Sequence, residues 1–398
     1  MNNSSKNYCV TSRFRPIALI ACLAICASTG FAKSAYVLSD LGILPGKKES
    51  VSTAINNQGQ VAGVSSAGDA STDTAFRYNG LSKLPMEDLG GKFAGSANRS
   101  LGINDSGDVV GDSTFSGKTP VRRAALFKDG SITDLGTLKN AGNFSQATGI
   151  NALGQVVGFA SAELDSDKGR AFIWTPATGM IDIGTLGGEH AQAFAINDSG
   201  FVTGNSDIAS SSLLSPTRHA FLYQPFTTTM GAVKAMQDLG TLGGHHSYGL
   251  FLNAKSHVVG YSTIDKSDSR VHAFLFDGKM MHDLGSLWGT FGDANTDQSV
   301  ALGINASDEV VGYSYIPSQQ QNVVDPIDPP TSEPQQVAFI SRQGVMIDLN
   351  LLIGEASKRY LLQSATAIND RGQIAATAWD RADNTFHAVL LTPITNTK

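Results

Sequence analysis

A unit that recurs seven times, and is divided between the two ends of the chain, constrains this 398-residue sequence more than any other feature. Its clearest copy is Ile181 to Ser206, IDIGTLGGEHAQAFAINDSGFVTGNS. The parts keep a fixed order: an Asp-Leu/Ile-Gly segment, a Gly-rich link, a run of small residues ending in Ile-Asn, a tight turn, then Val-x-Gly-x-Ser. The Asn closing each Ile-Asn stands at Asn56, Asn104, Asn151, Asn197, Asn253, Asn305 and Asn369, with spacings of 46 to 64 residues. A period of this length overrides any division into ordinary domains by chain length.

Each unit reads as four short strands. The first ends at an apolar column (Ile55, Ile103, Ile150, Ile196, Leu252, Ile304, Ile368) and enters a hairpin turn. There the Asn side chain bonds backbone two residues on, and a Gly three residues later takes positive φ without steric cost. That Gly is replaced by Ser256 in the fifth unit and Asp308 in the sixth. Ser tolerates left-handed backbone less well than Asp, so the fifth turn is expected to be the least regular. The second strand is Val61-Ala62-Gly63 and its counterparts, and the third is Ala75-Phe76 and its counterparts. The fourth ends at Asp88-Leu89, Asp134-Leu135, Asp182-Ile183, Asp238-Leu239, Asp283-Leu284 and Asp348-Leu349. These number six, and the seventh is Asp40-Leu41, ahead of all the rest.

A chain that begins with one fourth strand and ends with three strands lacking theirs has its ends sewn together. The expected fold is therefore all-β: a seven-bladed β-propeller of four-stranded blades. Its N-terminal strand (about 36–42) completes the last blade (about 364–391), near His387 to Leu391. Small residues in the inner strands, such as Ser50 to Thr53, suit seven strands crowding one axis. An outer-membrane barrel wants strands of roughly 9–11 residues, and these have about five. A parallel β-helix stays open as the alternative, although a linear solenoid gives no reason for the split unit.

Residues 1–32 read as a secretory signal: Lys6, Arg13 and Arg15, then the apolar run Ile17 to Ser28, then small residues at Gly30 and Ala32 before a cut. The run is short of the roughly 20 apolar residues a membrane span needs. Leu19 to Cys22 also resembles a lipoprotein box, with a shorter apolar core than that signal uses. Cys9, Cys22 and Cys26 all lie in this segment, so residues 33–398 hold no thiol for disulfides, Cys-zinc sites or Cys nucleophiles. Loss of the signal leaves 26 Lys and Arg against 35 Asp and Glu, a formal charge of −9. With no basic cluster beyond Lys47-Lys48 and Arg122-Arg123, nucleic acid is not an expected partner. The expected product is a secreted or periplasmic monomer with no membrane span.

His272 to Phe276 (HAFLF), His219 to Tyr223 (HAFLY), Asp238 to Gly244 (DLGTLGG) and Ile196 to Gly200 (INDSG) resemble the HAF repeat family of bacterial extracellular proteins. The resemblance covers nearly all of residues 33–398 and implies an exported bacterial repeat protein. It brings no activity, substrate or catalytic residue across. Some members end in a membrane sorting tail, and Thr392 to Lys398 carries no such apolar segment.

Repetition argues that the recurring Asp, Asn and Ser are structural, which removes Ser65, Ser113, Ser206, Ser262 and Ser314 as nucleophile candidates. No P-loop, Gly-x-Ser-x-Gly, His-Glu-x-x-His or EF-hand motif is present. Variation concentrates in the connections from second to third strand, including a Pro-rich loop at 315–336, and in the links into the inner strands. These open on one face, where binding residues are expected. Candidate binding residues are Glu189 and His190 in one link, His245 and His246 in the next, and Trp288, Phe291 and Asp293 after that. Such a set suits a sugar, a metal held by His190 and one of the pair, or a general base. No catalytic residue, metal ligand set or cofactor is assigned, and a divalent metal stays open. Asp165, Asp167, Asp265 and Asp268 match no calcium loop and are read as solvated. The expected function is a non-enzymatic module binding an extracellular glycan or protein. A polysaccharide lyase or hydrolase on the same face and a purely structural surface-layer role stay open.

Overall fold

Alternating apolar and polar runs bounded by Asn, Asp and Gly form strands throughout the computed structural model. It describes residues 34–80, 86–90, 97–115, 121–139, 141–162, 168–209, 216–225, 234–289, 296–317 and 334–394. Residues 1–32, read from the sequence as a secretory signal, Phe291, Asp293 and most of the Pro-rich loop lie outside these residues. Among the described residues the strands form seven antiparallel four-stranded sheets, each a blade in sequence order. Blade 1 is Glu49–Ile55, Val61–Ser66, Thr74–Tyr78 and Glu87–Asp88. Blade 7 is Tyr360–Ile368, Ile374–Asp380 and Thr385–Pro393, completed by Tyr36–Asp40 as its outer strand. Tyr36 stands opposite Pro393 and Asp40 opposite Val389, so the ring closes as the split unit requires.

Seven apolar clusters fill the seven gaps between neighbouring blades, including the one between blades 7 and 1. Their packing explains the Ala-Phe of the third strands. Phe172 of blade 3 packs in a cluster with Ala124 of blade 2, Phe221 with Ala171, Phe274 with Ala220, Phe339 with Ala273 and Phe76 with Ala388. Adjacent strand residues point to opposite faces, so blades 1, 3, 4, 5 and 6 send a ring to the blade before, which meets it with a small residue, while blades 2 and 7 carry Ala125 and Val389 in place of the ring. All five rings are fully buried.

The Gly of Val-x-Gly-x-Ser has a separate cause. Each inner strand of blades 1 to 6 bulges opposite it, as between Ser100 and Gly102 opposite Gly111. The bulge presses an inner-strand carbonyl onto the second strand. A Cβ on Gly111 would lie 1.8 Å from the Arg99 carbonyl oxygen, and one on Gly260 1.8 Å from that of Tyr248. Blade 7, with Ala376 at this position, bulges there too, between Ala365 and Ala367, and shifts register again between Leu362 and Ser364.

Around the axis the seven Asn residues make a closed belt. Asn56 Nδ2 donates to the Asn104 carbonyl, and the pattern continues through Asn151, Asn197, Asn253, Asn305 and Asn369 back to Asn56, with distances of 2.9–3.4 Å. Each Asn Oδ1 also accepts the backbone N–H two and four residues on, as Asn151 does from Leu153 and Gln155. One buried side chain thus shapes its own turn and ties it to the next blade.

The fifth turn corrects the expectation of irregularity. Ser256 sits at φ 63° and Asp308 at φ 61°, and each N–H returns to its Asn carbonyl as Gly does elsewhere. Their side chains supply what Gly lacks: Ser256 Oγ accepts from Asn197 Nδ2 and Asp308 Oδ1 from Asn253 Nδ2.

Candidate functional site

The links from fourth to first strand and the connections from second to third strand open on one face of the ring. Several recurring side chains there hold the scaffold. The Asp of Asp-Leu-Gly caps its link in every blade, as Asp238 Oδ1 does for the Gly240 N–H at 2.8 Å. In five blades it also meets Arg or His from the third strand: Arg123 with Asp134, Arg170 with Asp182, His219 with Asp238, His272 with Asp283, and His387 with Asp40. The His of HAF is therefore a strand clamp. The second-strand Ser residues tie down the links, Ser206 Oγ accepting from Leu186 and Ser262 Oγ from Leu242.

Asp40, Asp380 and His387 bring three possible ligand atoms within 4.8 Å of one another. Arg359 already holds Asp380 through Nε and Nη2, at 3.0 and 2.7 Å. His387 meets Asp40 through Nδ1 and Asp383 through Nε2. With both imidazole nitrogens engaged and a guanidinium on one carboxylate, the group is a charge network rather than a metal cage.

Glu189 and His190 lie in the irregular start of the strand Gly187–Ile196, between its pairings at Gly187 and Ala191. The Glu189 side chain is exposed, its carbonyl accepts from Arg170, and His190 Nε2 lies 3.8 Å from Glu189 Oε2. His245 and His246 directly precede the strand Ser247–Leu252. His190 and His246 hold the same place in successive blades, since the carbonyl of each accepts the second-strand Ser hydroxyl. Trp288, half-buried, lies on the link after blade 5. No hydrogen bond, ion pair or ring contact among the described residues joins Glu189–His190, the His245–His246 pair and Trp288 into one cluster.

What gathers instead is a set around His245 and His246. Asp268, from the variable loop of blade 5, accepts the His245 backbone N–H at 2.8 Å and meets His245 Nδ1 at 2.8 Å and His246 Nε2 at 3.9 Å. It is an organising residue, which corrects its reading as merely solvated. Burial raises its carboxyl, but the bonds from the His245 backbone, Thr263 and the His245 ring bring it net below the usual range, so it is ionised. Its partner on the loop, Asp265, is absorbed in a local turn with Ser267, Ser269 and Arg270.

The two histidines are chemically different. Nδ1 of His246 accepts the Arg218 N–H at 3.2 Å, so the neutral ring carries its proton on Nε2. Burial, with His245, Arg218 and His219 nearby, lowers its pKa against the pull of Asp268. His246 is thus a neutral donor and has no spare lone pair for a base. His245 Nδ1 donates to Asp268 at 2.8 Å on a side chain 54% exposed, so the tautomer this bond selects in the neutral ring places the lone pair on Nε2.

Beside them stand tyrosines from the upper ends of blades 5 and 6. Tyr248 stacks on Tyr261 with centroids 4.7 Å apart and planes at 14°. Tyr313 meets Tyr315 edge-on at 5.9 Å, and Tyr315 Oη donates to Gln336. Burial, with the phenols of Tyr248 and Tyr313 adding and Arg218 opposing, pushes Tyr261 well above the usual range and keeps it a neutral hydroxyl. Sequence reasoning missed these residues, although Tyr261 and Tyr313 occupy the free position between Gly and Ser of the repeat. Across the blades that position holds Val64, Asp112, Phe159, Asn205, Tyr261, Tyr313 and Thr377.

No family model and no curated protein matches the chain. Among solved structures, an acylaminoacyl peptidase from Pyrococcus horikoshii aligns over 87% of this chain and 51% of its own, at 12% identity and TM-score 0.45. The chain thus spans about half the length of that peptidase. An ulvan lyase from a new family of polysaccharide lyases, bound to a glucuronic acid–sulfated rhamnose fragment, aligns over 92% of this chain and 95% of its own, at 11% identity and TM-score 0.42. Neither likeness is close enough to bear on activity. The propeller rests on the seven closed sheets themselves, and no helix among the described residues is long and apolar enough to cross a membrane.

Proposed function

We propose that this chain is an exported HAF-repeat propeller that binds an extracellular glycan on the variable face of blades 5 and 6. The observation that carries the reading is the stacked pair Tyr248 and Tyr261 beside the neutral donor His246. Sugar rings offer apolar C–H faces and a rim of hydroxyls. Aromatic rings with hydroxyl edges and fixed imidazole donors answer both, and neutral groups avoid the cost of desolvating charge. A pushed-up tyrosine and a histidine with its lone pair occupied suit holding a ligand better than removing a proton.

Glycan-array retention and polysaccharide degradation, measured on residues 33–398, test this reading. Retention without product supports it, and retention unchanged by Tyr248→Ala and His246→Ala overturns the site. One observation favours a lyase or hydrolase as the second reading. The Asp268–His245 pair orients an imidazole with an open nitrogen, the arrangement a general base requires. New reducing ends or unsaturated sugar, abolished by His245→Ala in a folded protein, would establish it.

A further inference from the structure

Three third strands carry a histidine whose Nδ1 meets the recurring Asp of the outer strand: His219, His272 and His387. Only His272 of the three, among the described residues, also reaches a carboxylate on the link into the next blade. Its Nδ1 lies 2.9 and 3.0 Å from the two Asp283 oxygens, and its Nε2 lies 3.0 Å from Asp297 Oδ1. His387 Nε2 turns instead to Asp383 on its own blade. Asp283 ends the fourth strand of blade 5, and Asp297 precedes the first strand of blade 6, Ser299–Ile304. One imidazole therefore staples both ends of the link 284–298.

The start of the link hangs on these two carboxylates. The Gly285 N–H donates to Asp283 Oδ1 at 2.7 Å, and Ser286 Oγ donates to Asp297 Oδ1 at 2.8 Å while accepting the Gly289 N–H at 3.0 Å. Trp288 lies within this run. The other charges nearby are Arg270, whose Nη1 meets Asp297 Oδ2 at 3.2 Å, and Asp265, which holds Arg270 Nε at 3.1 Å. A neutral imidazole has one N–H and one lone pair. Between two carboxylates it can donate to one, and its lone pair then faces the other with no proton between them. Only the imidazolium satisfies both. Burial opposes that charge, but the bonds and charges of Asp283 and Asp297 outweigh it and leave the pKa raised. His272 and Asp297 are buried, whereas the Asp283 side chain is 45% exposed. Asp283 is therefore the end that yields, because water can replace the lost donor there.

We propose that His272 is a proton-operated clasp on the link that carries Trp288. The imidazolium holds the link at both ends, and loss of its proton frees the Asp283 end. The variable face between blades 5 and 6 is thus fastened in acid and loosened as pH rises. The clasp is independent of what the face binds.

Amide hydrogen exchange across a pH series, with histidine ring shifts recorded by NMR on the same protein, tests it. The link from blade 4 to blade 5 is the internal control, since Asp238 caps Gly240 there and meets His219 through Nδ1. Dividing exchange at 283–289 by exchange at 238–242 removes the common acceleration by hydroxide. That ratio is expected to rise about tenfold as His272 loses its proton, the effect of one charge-assisted bond. The His272 midpoint is expected above the ordinary value of about 6.5. Asp283→Asn keeps an oxygen for the Gly285 N–H but removes the charge, and is expected to lower the midpoint and hold the ratio high at every pH. His272→Gln, in a chain that still melts cooperatively, is expected to abolish the step. A midpoint at or below about 6.5, a ratio flat with pH, or a step that survives either substitution overturns the proposal.

Discussion

Ser256 Oγ accepts a 3.1 Å hydrogen bond from Asn197 Nδ2 on the preceding blade. In blades 1, 2, 3, 6 and 7 the belt Asn finds a second acceptor four residues on, in Gln60, Asp108, Gln155, Glu309 or Gln373. Blade 4 has Phe201 there and blade 5 has His257. These are the blades followed by Ser256 and Asp308 in place of Gly. The two departures from the turn pattern thus replace a missing acceptor, and they accept left-handed backbone in exchange.

Substitution of Ser256 by Gly separates these two effects. Backbone strain alone predicts a gain, because Gly adopts φ near 63° freely. The lost acceptor for a buried Asn197 amide predicts a loss of about 1 kcal/mol. We expect the loss, read by urea denaturation, and expect Phe201→Gln in the same chain to recover most of it. A Ser256→Gly protein more stable than the parent would remove the hydrogen bond from the account.

The Ala-Phe interlock predicts a sharper asymmetry. Phe274 is fully buried in the same cluster as Ala220 of the preceding blade. Phe274→Ala should cost about 3–5 kcal/mol through lost burial and the cavity left behind. Ala220→Leu should cost about 1–3 kcal/mol by overfilling the same gap. Joined in one chain, they should destabilise by clearly less than their sum, since Leu fills part of the space the ring vacates. Additive costs would show that the two residues do not share a site.

The ring was legible in the sequence because closure leaves a mark on chain order: Asp40-Leu41 stands ahead of any first strand. The core was legible for the same reason, since each blade repeats one solution to one packing problem. The belt was half legible. Asn as a turn residue is a local property, whereas its bond to the neighbouring blade spans 46 to 64 positions and has no local signal. The site was less legible again. His245 and His246 stand out as rare residues in a variable link, but Asp268 lies on another loop, and Tyr261 acquires its setting only by stacking on Tyr248 across the strand pair.

Closure should respond to pH through His387 and Asp40. Nδ1 of His387 lies 3.0 and 2.9 Å from the two carboxylate oxygens, joining the last third strand to the first strand of the chain. Burial pulls His387 down, but the bond and charge of Asp40, with Asp383, outweigh it and leave the pKa raised. His272 is raised in the same way, burial being outweighed by Asp283 and Asp297. A raised value means that the native state holds the proton more tightly than the unfolded chain does. The contribution is therefore complete below about pH 6.5 and fades as pH rises through the raised value. The melting temperature is expected to fall across that window, and His387→Gln with His272→Gln should flatten the slope. A slope unchanged in the double variant would place the titrating group elsewhere.

Binding and catalysis make opposite demands on the two histidines, and the tautomers tell them apart. His246 presents an Nε2 proton and no lone pair, whereas His245 presents a lone pair oriented by Asp268. If the face holds a glycan without cleaving it, Tyr248→Ala should weaken retention about tenfold, near 1.4 kcal/mol, through loss of an aromatic face. His246→Ala should weaken it by a few fold, and His245→Ala should leave it within about twofold. If the face cleaves a glycan, Asp268→Asn should leave retention intact and reduce turnover strongly, because an amide no longer stabilises the imidazolium formed when His245 takes a proton. The ratio of the Asp268→Asn effect on turnover to its effect on retention therefore separates a base-oriented site from a holding one, and it does so without removing either histidine.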